Sequence, residues 1–229
     1  MPSPAWCCID TGPAGGAENM ALDEALMISC GQWNAPLLRF YAWTEPAATF
    51  GYFQKYADIA NLTPLRPLLR RPTGGGLVPH DHDWTYSLSF PATDPWFSLR
   101  AEESYRKLHE WIRDSFSRLG IETVLSPCCA KEAPGQCFAG PERFDLLWQS
   151  RKIAGAAQRR SKQGLLIQGS LQRQPPAVDR MKWQQALKEA AASSFGVEWR
   201  ALTLSPDLRA LTDNLVATKY ALASYHQKR

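Results

Sequence analysis

The chain reads as an α+β protein: a mixed, mostly antiparallel sheet flanked by helices. Three observations predict this. Residues 84–90, Trp-Thr-Tyr-Ser-Leu-Ser-Phe, alternate strictly between apolar and polar, as a half-buried strand does. Residues 144–148, 152–158 and 165–171 read as strands joined by short polar turns, so they pair as hairpins. The helical patterns are few and interposed, with no βαβαβ alternation, so a doubly wound sheet is not expected.

Taken in order, residues 6–10 (Trp-Cys-Cys-Ile-Asp) form a short strand ended by Thr11-Gly12-Pro13. Leu22, Ala25, Leu26 and Ser29 share one helical face, with acids in the early turns where the helix dipole favours them. This predicts a surface helix packing Leu22 and Leu26 inward and ending at Gly31. Residues 37–41 and 48–54 read as strands, with Gly51 marking a bulge or a close approach. A connection broken by prolines follows over 61–67, then a short strand at Leu68 and Leu69. Residues 91–100 form a loop with two prolines. Over 102–119, Tyr105, Leu108, Ile112, Ser115, Phe116 and Leu119 keep the 3.6-residue period, and Gly120 stops the helix. His109 lies just off that stripe, as a surface or a satisfied core residue. A strand over 121–125 leads into a loop, 127–140, that carries three cysteines, Lys131 and Glu132. A helix over 181–195, a strand over 197–204 and a last helix over 206–225 complete the chain.

The 229 residues show no internal repeat, no charge run and no apolar stretch of membrane-spanning length. The N-terminus lacks the basic and apolar regions of a secretory signal, so the expected location is the cytoplasm. A net charge of +4 is too diffuse to indicate nucleic acid. The cysteines at 7, 8, 30, 128, 129 and 137 include two adjacent pairs and no C-x-x-C spacing. That makes a poor disulfide framework and gives no sign of zinc or another metal site.

Residues 70–81, Arg-Arg-Pro-Thr-Gly-Gly-Gly-Leu-Val-Pro-His-Asp, hold the first candidate site. Consecutive glycines bring nothing to a core; they serve unusual φ/ψ or close approach. A loop of this kind offers backbone N–H groups to an anion or a polarised carbonyl, and the alternative is a glycine-rich hairpin without a ligand. Lys152 is the second candidate, on a strand among the small residues Ile153, Ala154, Gly155 and Ala156, where an ammonium can donate to an acyl carbonyl or a phosphate. The alternative is a hairpin-end lysine in solvent. Cys137 follows Gly135 in a loop, with Lys131 and Arg143 near in sequence as cations that would make a thiol reactive. Its alternative is an inert buried cysteine, the reading also given to the other five. His80 fits either a general base or a hydrogen bond to the glycine loop.

Together these segments resemble the catalytic domain of the lipoate/biotin protein ligase family, lipoate branch. The resemblance is carried by Arg70-Arg71-Pro72-Thr73-Gly74-Gly75-Gly76 with His80-Asp81, and by Arg151-Lys152-Ile153-Ala154-Gly155-Ala156-Ala157-Gln158. Asn19 to Glu24, Arg39-Phe40-Tyr41, the run from Gly51 to Lys55 and the tail Ala217-Thr218-Lys219-Tyr220 match as well. Cys137-Phe138-Ala139-Gly140-Pro141 is similar to the Cys-Phe-x-x-Pro segment of the family's octanoyltransferases, and Cys137 precedes Lys152 by fifteen residues (152 − 137) as it does there. Gln168 stands where the family usually has histidine.

The resemblance implies a single catalytic domain over 1–229 without a C-terminal accessory domain. It implies an octanoyl-[acyl carrier protein]:protein N-octanoyltransferase that works without a cofactor. Cys137 and Lys152 would be catalytic. Arg70, Arg71, Thr73, Gly74, Gly75, Gly76, His80, Gly155, Ala156 and Ala157 would bind the octanoyl or lipoyl group. The partners would be acyl carrier protein and either a lipoyl domain or the glycine-cleavage H-type carrier protein, with no nucleic acid and no membrane. Two alternatives stay open: an ATP- and Mg-dependent lipoate-protein ligase acting through lipoyl-AMP, and a non-catalytic lipoyl- or acyl-binding protein.

Overall fold

The computed structural model describes residues 4–130, 135–176 and 178–228. Its elements are β1 (Ala5–Ala14), α1 (Gly16–Trp33), β2 (Leu37–Trp43), β3 (Ala47–Phe50), α2 (Tyr56–Ala60), β4 (Leu68–Arg70), β5 (Val78–His80), β6 (Trp84–Pro91), α3 (Pro95–Ser98) and α4 (Ala101–Arg118). There follow β7 (Val124–Leu125), β8 (Leu146–Trp148), β9 (Arg151–Ser161), β10 (Gly164–Leu171), α5 (Arg180–Phe195), β11 (Glu198–Ala201), α6 (Pro206–Leu215), a π-helical turn (Val216–Tyr220) and α7 (Ala223–His226). One sheet runs β11-β1-β2-β6-β10-β9-β8-β7 and a smaller one runs β4-β3-β5. In the large sheet β1 is parallel to β11 and β2, and every other pairing is antiparallel. This is the α+β architecture that the alternation and the hairpins predict.

Helices α4 and α5 cover one face of the large sheet. Leu108, Trp111, Ile112 and Phe116 of α4 and Trp183 and Leu187 of α5 join Phe40, Tyr86, Leu88, Phe90, Leu165 and Ile167 in the main core. Burying each such side chain contributes about 1.5–3 kcal/mol. The stripe on α4 is the predicted one, and the Glu103 carboxylate caps the helix by accepting from Arg100 N at 2.9 Å. His109 is fully buried and its Nε2 has no hydrogen-bond partner.

Helix α1 lies on the other face and corrects the expectation of a surface helix. It is buried on several sides, its polar Asn19, Asp23 and Glu24 included, because the sheet closes one side and α6 with the π turn closes the other. Beneath it Asp23 accepts from Arg39 Nη1 (2.7 Å), Tyr41 OH (3.0 Å), Ser87 Oγ (2.6 Å) and Gln168 Nε2 (2.7 Å). A buried ion pair of this kind is costly to break, about 3–5 kcal/mol, since one charge is then left uncompensated.

Other boundaries differ for local reasons. β3 stops at Phe50 and not at residue 54, because the backbone at Gly51 meets the glycine loop. A short helix, α2, precedes the proline-rich connection, and β5 lies between the glycine loop and β6. The last helix breaks at Val216, where the π turn brings Lys219 Nζ and Tyr220 OH together onto the Glu24 carboxylate, at 2.5 and 2.6 Å.

Candidate active site

β4 and β5 lie on either side of β3, so the loop joining them must cross the end of β3. The crossing is tight: a Cβ on Gly51 would fall 1.9 Å from the Gly75 carbonyl oxygen. Gly75 has φ +81, where a side chain is strained, and a Cβ on Gly76 would fall 2.5 Å from Gly135 O.

The Cys137 segment docks on this loop through two backbone bonds, Leu77 N to Gly135 O (2.7 Å) and Cys137 N to Leu77 O (3.0 Å). Cys137 Sγ thereby accepts from Gly76 N at 3.0 Å. The charged Arg71 guanidinium stands beside the same residue, and the two attract. It is held there by Nη2 and Nε donating to Gly74 O (2.6 and 3.1 Å) and Nη1 donating to Thr49 O (3.3 Å). Burial pulls the guanidinium below its ordinary value, and the charge and hydrogen bond of Cys137 pull it back up. Among the described residues Arg71 is the cation set beside Cys137. Lys131, one of the two cations that the sequence sets near Cys137, lies outside the described residues.

Lys152 does not touch the sulfur. Its ammonium donates to the Cys137 carbonyl oxygen at 2.6 Å, pairs with Asp145 Oδ2 at 2.6 Å and lies 4.8 Å over the Phe138 ring. A register shift between β8 and β9 pairs Leu146 with Ala154 and Leu147 with Lys152, leaving Ile153 as an extra residue. Such a bulge re-aims a side chain. Lys152 shares a side with Gly155, whose Cβ would meet Lys152 Cε and Nζ at 2.8 and 2.9 Å. β8 is short, so the β9 edge beyond Ala154 is open, and Ala156 N donates to Tyr105 OH at 3.4 Å.

A cavity of about 570 Å³ opens between these groups, with Met20, Val78, Gly75, Gly76, Tyr105, Cys137, Lys152, Gly155, Ala156 and Ala157 in its walls. That volume is ordinary for a small-molecule site (about 300–1,000 Å³), and the walls are mostly apolar.

The other sequence candidates divide. Arg71, Gly75, Gly76, His80, Gly155, Ala156 and Ala157 line the cavity; Arg70, Thr73 and Gly74 do not. The fully buried Arg70 donates to the carbonyls of Tyr52, Gln54, Tyr225 and His226, clamping the C-terminus to the small sheet. Thr73 Oγ1 donates to Gln168 Oε1 at 2.7 Å, and Gly74 serves Arg71. His80 does not hydrogen-bond the glycine loop. Its Nδ1 pairs with Asp83 at 2.8 Å, its Nε2 with Thr49 Oγ1 at 2.9 Å, and its ring stacks on Trp43. Arg71 Nη1 donates to that hydroxyl as well. Gln168 bridges Thr73 and Asp23, with both ends of its amide used.

Sequence reasoning missed Asp145 and Tyr105. Tyr105 reads as core on an apolar stripe, and Asp145 carried no signal beyond its place just before the hairpin strand. The other cysteines are free thiols, and burial pushes those of Cys8 and Cys30 up to about 11. Among the described residues no His, Cys, Asp or Glu cluster is arranged to hold a metal, and no helix is long and apolar enough to cross a membrane.

Residues 16–194 match the lipoyl protein ligase A/B catalytic domain. The chain belongs to this family. It is 35% identical over 188 residues to the octanoyltransferase LipM of Bacillus subtilis, an alignment covering 75% of this chain and 66% of that protein. With LipM of Carboxydothermus hydrogenoformans it shares 36% over 172 residues, covering 72% and 64%. The chain thus spans about two thirds of the length of the curated relatives it matches. Two solved structures share the fold. Lipoate-protein ligase A bound with ATP superposes with a TM-score of 0.77 at 20% identity, covering 99% of each chain. The structure of a bi-partite lipoate protein ligase and its E2 lipoyl domain from Thermoplasma acidophilum superposes at 0.76 and 20% identity, covering 99% and 97%.

Proposed function

We propose that this chain is an octanoyltransferase that moves an octanoyl or lipoyl group from the thioester of acyl carrier protein to a lysine of a lipoyl domain or a glycine-cleavage H-type carrier protein. The reaction is ping-pong, needs no nucleotide, and takes place in the cytoplasm. The observation that carries this reading is the Cys137 sulfur, bonded by the Gly76 amide beside the Arg71 guanidinium at the wall of an apolar cavity. A ligase working through an adenylate has no use for a cysteine sulfur so placed, and the LipM relatives bear the name octanoyltransferase.

The Cys137 thiolate attacks the thioester carbonyl, a new C–S bond forms, and the donor's sulfur leaves as a thiolate that takes a proton from solvent. An ammonium has three N–H donors; Lys152 uses one on Cys137 O and another on Asp145. The third is available to the carbonyl oxygen as charge builds on it, the term that is usually largest in acyl transfer. The lysine amine of the acceptor then attacks the acyl-enzyme, the amide forms, the Cys137 thiolate is released and one proton passes to solvent. Exchange of a thioester for an amide runs downhill, so ATP is not required.

The test is mass spectrometry of the protein after incubation with octanoyl carrier protein and no ATP. A gain of one octanoyl group that transfers to a lipoyl domain, and is absent in Cys137→Ala, supports the reading. Activity that depends on ATP and free lipoate and survives Cys137→Ala replaces it with the ligase. Binding of acyl donors without turnover leaves a non-catalytic binding protein.

A further inference from the structure

We propose that Asp145 is a positioning residue for acyl transfer, holding the Lys152 ammonium in a buried ion pair and turned toward the reacting carbonyl. The proposal rests on the acyl-transfer reading of this same cavity.

Asp145 is fully buried, and its carboxylate is held from two other elements. Oδ2 accepts from Glu142 N at 2.5 Å and from Lys152 at 2.6 Å, while Oδ1 accepts from Tyr105 OH of α4. The carboxylate therefore cannot turn without breaking a backbone bond and a tyrosine bond together. Lys152 is 6% exposed, and an ammonium taken out of water without a counter-ion tends to give up its proton. Space for the pair comes from Gly155, whose Cβ would stand 3.3 Å from Asp145 Oδ1 and closer still to Lys152.

The titratable groups around Lys152 separate into two pairs. Arg71 from the glycine loop serves the Cys137 sulfur, and Asp145 serves Lys152. The remaining neighbours on α4 add no charge at neutral pH. Burial lowers His109 to about 4, and burial with the charge of Asp145 raises Tyr105 well above its ordinary value. Glu102, Glu142 and Arg143 stand at the cavity's rim. Removing the Asp145 charge should thus act on the carbonyl step and leave the sulfur's own reactivity alone.

The experiment is single-turnover acylation of Cys137 by an octanoyl thioester as a function of pH, in wild type, Asp145→Asn and Asp145→Glu, beside iodoacetamide alkylation of Cys137. In Asp145→Asn the alkaline limb of acylation is expected to move down by about one pH unit or more, with a lowered kcat at neutral pH and an unchanged alkylation rate. Asp145→Glu should restore much of the limb. A folded Asp145→Asn with the wild-type limb and kcat overturns the proposal, and so does equal loss of acylation and alkylation, which marks a merely structural role. Should Asp145→Asn not fold, Tyr105→Phe, which frees one carboxylate oxygen, must show a smaller shift in the same direction; an unmoved limb then overturns it. If wild type itself takes no octanoyl group, the acyl-transfer reading fails first and separately.

Discussion

The backbone nitrogen of Gly76 lies 3.0 Å from the sulfur of Cys137, 61 residues further along the chain. Neither residue could adopt this contact alone. The glycine loop is carried over the end of β3, and the Cys137 segment is pinned to that loop by Leu77. A methyl group at Gly76 would push Gly135 and so displace Cys137. Gly76→Ala should slow acylation and alkylation of Cys137 by about a hundredfold, the usual cost of misplacing a reacting group by an ångström. Alkylation kinetics beside a thermal melt check this; a wild-type rate would mean that the loop yields without moving the sulfur.

Arg71 should matter to the thiol more than Arg70 does, although the two are adjacent. Arg71→Met removes the cation beside Cys137, and alkylation of Cys137 at pH 7 should slow about tenfold, as when an opposite charge within a few ångströms of a thiol is lost and its pKa rises by about one unit. Arg70→Met removes bonds to four carbonyls and should lower the melting temperature while a folded fraction still alkylates normally.

Thiol labelling should follow burial. Cys8 and Cys30 are raised to about 11, chiefly by desolvation, so they stay protonated thiols through the neutral range and react only as pH approaches that value. Cys128 and Cys129 are exposed. Peptide mapping after brief labelling at pH 7.5 should find Cys137, Cys128 and Cys129 modified and Cys8 and Cys30 untouched.

His109 makes stability depend on pH. Burial lowers it from 6.5 to about 4, so the unfolded chain binds the proton first as pH falls. The contribution is fully present above pH 6.5 and is lost between that value and about 4. At about 1.4 kcal/mol per unit the loss amounts to roughly 3 kcal/mol. Urea melts at pH 7 and pH 4.5 measure it, and in His109→Gln the difference between the two should shrink.

Gln168 is a fixed element of the buried polar network. Gln168→Glu would set a second carboxylate against Asp23, whose oxygen now accepts from the amide at 2.7 Å. The expected cost is about 3 kcal/mol or more at neutral pH, as for an uncompensated buried charge, recovered in part as the pH is lowered and the new acid protonates. A denaturant series across pH reads it directly.

Much of this was legible in the chain. The period-two run of 84–90 and the 3.6-residue stripe of 102–119 each state which face meets the core, since apolar side chains must leave water together. The family motifs marked Cys137, Lys152 and the glycine loop, and the sheet came out mixed and mostly antiparallel as the hairpins required. What sequence could not decide were relations between segments. Two adjacent arginines look alike until β3 and the C-terminus show that Arg70 faces carbonyls and Arg71 faces a sulfur. Strict alternation says nothing of the extra residue at Ile153 that turns Lys152 toward the cavity. Asp145 and Tyr105 gain their meaning only when α4 closes over the open edge of β9. Local pattern determines which surface a side chain leaves the chain from; only tertiary packing determines which distant group it finds there.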